Sequence, residues 1–151
     1  MSGSWPSSDF PNLREGDHTK TSDASQEYNC IAWAAEDTSA WWWPSLELGR
    51  SYWPEGIPRE ETVEAFVAAF RTKGYEPCDI GSLEVGFEKI ALYVDANNIP
   101  THAARQLKNG HWTSKLGGFE DIEHLTVECL QGDAPYQYGR ASLYMKRPIS
   151  R

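Results

Sequence analysis

Apolar residues recur with helical period in one stretch of the chain: Val63, Phe66, Val67 and Phe70 stand at i, i+3, i+4 and i+7. Arg59-Glu60-Glu61 opens that stretch and Gly74 ends it, which predicts an amphipathic helix. Upstream, Tyr28 to Glu36 is Ala-rich and apolar on nearly every side, the pattern of a short helix buried all round. Asn29 suits its N-cap, which puts Cys30 in the first turn. Ile90, Leu92 and Val94 alternate with Ala91, Tyr93 and Asp95, the period of a half-buried strand, and Asn97-Asn98-Ile99-Pro100 punctuates it. Thr101 to Leu107 and His111 to Leu116 flank Asn109-Gly110, a hairpin signal. A short helix is expected over Asp121 to Leu130 and a last strand over Ala141 to Lys146.

Residues 1–24 are rich in Ser, Asp, Thr and Pro and lack either period, so they are expected to be irregular, with one compact domain over 25–151. Residues 38–58, with Trp41-Trp42-Trp43-Pro44 and Tyr52-Trp53-Pro54, read as an aromatic loop anchored on the domain. The order helix, helix, antiparallel sheet predicts an α+β fold.

Composition narrows the function. The chain of 151 residues has a net charge of −8, which argues against nucleic acid or an anionic membrane as partner, because such binding draws on clustered Lys and Arg. The first residues show no basic segment followed by an apolar one, and no run of about 18 apolar residues occurs, so a cytoplasmic protein is expected. Cys30, Cys78 and Cys129 are widely spaced and odd in number, which suits free thiols. With no H-E-x-x-H, no zinc-spaced Cys/His pair and no Gly-rich phosphate loop, neither a metal nor a cofactor is expected.

The remaining chemistry centres on Cys30 and His102. A thiol in a first helical turn lies near the positive end of the helix dipole, which favours thiolate. A histidine opening a later strand can supply the imidazole that such a nucleophile needs. Against this, free cysteine is among the most buried residue types, and a lone histidine on a strand is commonly structural. His18, His111 and His124 are expected in ordinary surface roles.

The segments Tyr28-Asn-Cys-Ile-Ala-Trp33 and Thr101-His-Ala-Ala-Arg-Gln106 resemble those of small papain-like domains, the fold of bacterial cell-wall amidases and cysteine peptidases. A closer likeness is to compact bacterial proteins of unassigned function with similar Asn-Cys-Ile-Ala-Trp and Thr-His-Ala segments, over about residues 25–147. The resemblance implies a papain-like α+β fold with Cys30 as nucleophile, His102 as general base and then acid, and a polar residue on the next strand orienting the imidazole. That third residue is open. If Asn109-Gly110 is a two-residue loop, paired positions sum to 219, and His102 shares its face with Gln106, Thr113 and Lys115. A one-residue bulge would bring Ser114 to that face instead; Glu120 or Asp121, just beyond the strand, could fold back; and a pair without an orienter is the third option.

An oxyanion would be met by the backbone N–H of Cys30 together with the side-chain amide of Gln26 or Asn29, although Asn29 competes as N-cap. Trp33, Trp43, Trp53 and Trp112 are candidates to wall a substrate cleft, against the core-filling use that large aromatics more often have. The expected activity is a thiol-dependent hydrolase or acyltransferase (peptidase, amidase or deamidase) acting on a peptide or protein through a thioester. The alternatives are a non-catalytic module that binds protein or peptide in a Trp-lined cleft, and an effector or toxin that modifies a protein.

Overall fold

The computed structural model describes residues 18–22, 27–45, 51–115, 121–132 and 138–149. Its frame is one sheet of seven strands, all paired antiparallel: β1 (His18–Ser22), β2 (Glu76–Cys78), β3 (Phe87–Val94), β4 (Pro100–Gln106), β5 (Trp112–Lys115), β6 (Asp121–His124) and β7 (Arg140–Pro148). Their spatial order is β1-β6-β5-β4-β3-β7-β2. Among the described residues two short helices accompany the sheet, α1 (Cys30–Ala34) and α2 (Val63–Arg71), with a 3-10 turn at Val127–Leu130. This is an all-β type of architecture. The expected papain-like α+β fold is corrected by it: the helices are accessories on a sheet that dominates the chain.

Period-2 burial on an interior strand explains how the sheet holds both layers. On β3, Ile90 and Leu92 point to one face and join Ala103, Met145, α1 and α2 (Phe66, Phe70) in one core. Ala91 and Tyr93 point to the other, where Ala104, Trp112 and Ile122 meet Val127, Cys129 and Leu130 of the 3-10 turn. The amphipathic stretch does form a helix, capped by Thr62, whose side chain accepts from the Ala65 amide.

Three local expectations differ from what is observed. Residues 121–130 are not one helix: Asp121–His124 pairs with β5 over four positions, because an open strand edge offers more hydrogen bonds than an isolated helix of this length. His18–Ser22, within the segment expected to be irregular, adds an edge strand to β6. The β4–β5 hairpin pairs Arg105 with Thr113 and Gln106 with Trp112, so paired positions sum to 218. Leu107 N–H donates to the His111 carbonyl at 2.7 Å, and Gly110 sits at φ +88°, which only glycine adopts cheaply. That one-residue offset turns Ser114 to the face that His102 occupies. Among the described residues, no helix is long and apolar enough to cross a membrane.

Candidate functional site

Asn29 starts α1. Its Oδ1 accepts from the Ala32 amide at 3.1 Å and from the Trp42 amide at 3.1 Å, while its Nδ2 donates to the Trp42 carbonyl at 2.7 Å. Both polar atoms of the amide are thereby engaged in capping the helix and pinning the aromatic loop, which is the N-cap role that competes with oxyanion binding. Gln26, the other candidate, lies outside the described residues.

Cys30 follows, 6% exposed, with Sγ donating toward the Thr101 carbonyl at 4.0 Å. Burial pushes its thiol up to about 11, and hydrogen bonding from the amides of Ala103, Ile31 and Cys30 itself, with the more distant Lys115 ammonium, offsets only part of that. The expected low-pKa thiolate is therefore corrected. A helix of five residues has a small dipole, and desolvation outweighs it.

His102 is completely buried on β4. Its Nε2 lies 3.0 Å from Ser114 Oγ, which in turn lies 2.8 Å from His124 Nε2, and His124 Nδ1 lies 2.8 Å from the Thr126 carbonyl. The carbonyl can only accept, so His124 carries its proton on Nδ1. Ser114 then donates to His124 Nε2 and accepts from His102 Nε2–H. The chain leaves His102 Nδ1 as a lone pair, and among the described residues that atom has no hydrogen-bond partner. Tyr138 stacks on the imidazole at 4.0 Å between centroids and Tyr93 meets it edge-on at 5.1 Å. Burial, with His124 adding to it, holds His102 well below the ordinary histidine range.

Of the candidate residues, the structure brings His102 and Ser114 together and adds His124. No hydrogen bond joins Cys30 to His102: the thiol meets the backbone of Thr101 and Ala103, which flank the histidine, and the imidazole meets Ser114. Strand alternation puts the His102 side chain on the face of Tyr93 and Ala104, opposite α1. Asp121 stands apart from His102, on the face of α1: it accepts from Tyr28 Oη at 2.7 Å and is the cross-strand partner of Lys115. Lys115 is fully buried with its ammonium 5.2 Å from the Tyr28 ring, and burial lowers its pKa against the opposing pull of Asp121 and Cys30.

The four tryptophans do not wall a common cleft. Trp43 and Trp53 both pack edge-on against Phe66 of α2, with centroids at 5.3 and 5.1 Å. Trp112 packs on the opposite face beside Tyr144. Trp33 stacks on Tyr28 and donates to Thr113 Oγ1 at 3.0 Å. Each fills space or ties two elements of the fold.

His124 is the residue that sequence reasoning missed. Reading 121–130 as an amphipathic helix put it on a solvated face, whereas the Asp121–His124 strand turns it inward opposite Trp112. Alternation of Ile122 and His124 with Glu123 was the available signal. Among the described residues, no group of three or more His, Cys, Asp or Glu side chains could hold a metal.

A cavity of about 710 Å³ lies away from this cluster, between the β2–β3 loop, the β4–β5 hairpin and Glu36 beyond the end of α1. No curated protein and no solved structure matches the chain. A family model does match it over residues 19–146, which takes in the cysteine, both buried histidines and nearly the whole sheet, and the chain belongs to that family, a domain of unknown function (DUF7689).

Proposed function

We propose that the protein is a thiol-dependent hydrolase or acyltransferase in which Cys30 attacks an amide or ester carbonyl and His102 takes the thiol proton. The observation that carries this reading is the chain Thr126–His124–Ser114–His102, which fixes one tautomer and leaves His102 Nδ1, among the described residues, as a buried base without a partner. The thiol rests on the backbone of the two residues that bracket this histidine, while the imidazole lies on the other face of the sheet, so the reaction requires the two side chains to meet at the opening between β4 and β5 once substrate is bound.

With the thiol at about 11 and the imidazole neutral, the resting pair is uncharged. The proton therefore moves in concert with attack, as it does for a hydroxyl nucleophile. With the two side chains brought together in this way, Sγ bonds to the carbonyl carbon, the C=O π electrons move to oxygen, and the thiol proton passes to His102 Nδ1. Collapse re-forms the carbonyl and expels the leaving group, which takes that proton from His102, and a thioester remains. Water or another acceptor resolves it, with His102 removing the acceptor's proton. The amides of Cys30 and Ile31, first in α1 and without intrahelical acceptors, supply the oxyanion donors.

The competing reading, a non-catalytic binding module, draws on the burial of Cys30. A nitrophenyl ester series separates the two when release of nitrophenolate is followed together with the intact mass of the protein. The proposal expects a burst and one acyl adduct on Cys30, absent from Cys30→Ser and slowed roughly 100-fold or more in His102→Ala. An adduct confined to Cys78, or an unchanged rate in His102→Ala, overturns it.

A further inference from the structure

The 710 Å³ cavity is walled by Leu83, Phe87, Leu107 and Ile149, a mostly apolar surface of the size that small ligands occupy. Leu83 and Ile149 remain 53% and 38% exposed, so apolar area is left to be covered. Glu36, Glu84, Glu88, Arg105 and Lys108 also line it. Every carboxylate among them is already matched. Glu36 and Glu88 both bind Arg147, and Glu84 binds Lys146 at 2.9 Å and Lys89 at 3.2 Å. Three carboxylates thus face three cations.

Arg105 and Lys108 are left over. Arg105 Nε donates to the Trp33 carbonyl at 3.4 Å, and the guanidinium lies 5.2 Å from the Trp33 ring, so its position is held while its two terminal nitrogens have no acceptor among the described residues. Lys108, exposed at the hairpin turn, has no ion-pair partner among them. A local surplus of two positive charges beside an apolar cavity is unusual in a chain of net charge −8. A fixed guanidinium with free terminal nitrogens is the donor geometry suited to a carboxylate.

We propose that this cavity binds an amphiphilic carboxylate: an apolar body against Leu83, Phe87, Leu107 and Ile149, and an anionic end on Arg105 and Lys108. The inference stands independently of the Cys30 reading, since cavity and thiol lie at opposite ends of β4. Two sources carry this chemistry, a fatty acyl carboxylate and the C-terminus of a short apolar peptide.

The test is calorimetric titration of the full chain with decanoate and with acetyl-Leu-Phe, each beside its carboxamide. The expected result is saturable 1:1 binding of at least one acid, with its carboxamide roughly tenfold weaker. Arg105→Gln and Lys108→Gln should each weaken the acid several-fold and leave the carboxamide unchanged, while Arg140→Gln, at a distant site, changes neither. Lys108 is exposed, so its variant keeps the test sound if loss of the Trp33 contact unsettles Arg105→Gln. Which acid binds identifies the source. Failure of both acids to saturate, or equal binding of acid and carboxamide, overturns the proposal.

Discussion

Ser114 Oγ lies 3.0 Å from His102 Nε2 across the opening between β4 and β5, on the face of the sheet opposite α1. It is the hinge of the buried polar chain, because a hydroxyl can donate to one imidazole while accepting from another. Ser114→Ala leaves His102 Nε2–H and His124 Nε2 both unpartnered in an apolar layer. A loss of about 2–4 kcal/mol in urea unfolding is expected. Nitrogen-15 spectra of the ring should show His102 no longer held in the Nε2–H tautomer; an unchanged tautomer would assign its fixation to other contacts.

Acid stability follows from the lowered pKa of His102. The unfolded chain takes up this proton near pH 6.5 and the folded chain only well below that. Between those values the unfolded state binds more protons, so stability is complete above about pH 7 and falls as pH drops through about 6.5, by at most ~1.4 kcal/mol per unit. Denaturant midpoints measured from pH 7.5 to 5 check this. A flat profile across that window would show that His102 is free to charge in the folded protein.

Alkylation of the resting protein should not start at Cys30. With its thiol at about 11 and nearly all of its surface covered, Cys30 is expected to stay protected at pH 7.5, while the only partly buried Cys78 reacts first. Peptide mass spectrometry after timed iodoacetamide treatment gives the order. Early labelling of Cys30 would mean that the thiolate is populated without substrate.

Asn29→Asp tests the cap. Aspartate keeps the acceptor for the Ala32 and Trp42 amides but loses the donor to the Trp42 carbonyl and buries a negative charge against it. A loss of about 2 kcal/mol or more is expected, in contrast to the small effect of this exchange at an exposed cap. Thermal melts of the two proteins compare them directly.

Gly139 presents a different constraint. It sits at φ +79°, and a methyl group there would land on the Val94 carbonyl. Its bridge to Gly132 also sets the course of the chain beside Tyr138, the ring stacked on His102. Gly139→Ala should cost more than about 2 kcal/mol and loosen the His102 environment, read as line broadening of its ring protons. Wild-type melting and sharp ring signals in this variant would show that the bridge yields without disturbing the site.

The chain's own pattern sufficed for the parts that depend on near neighbours. The amphipathic face of Val63 to Phe70, the Asn29 cap, the alternation along β3 and the turn at Asn109-Gly110 are legible because each is set by contacts within a few residues. The sheet-dominated architecture was not legible. Asp121 to His124 carries a pattern compatible with helix or strand, and only the open edge of β5 selects the strand. The same long-range pairing decides the site. One residue of register puts Ser114 rather than Thr113 beside His102, and the β6 pairing turns His124 inward to meet them. Cys30 and His102 could be picked out by residue type alone, but whether the thiol is charged depends on how much water reaches it. That is a property of packing between α1 and β4, and no spacing along the chain encodes it.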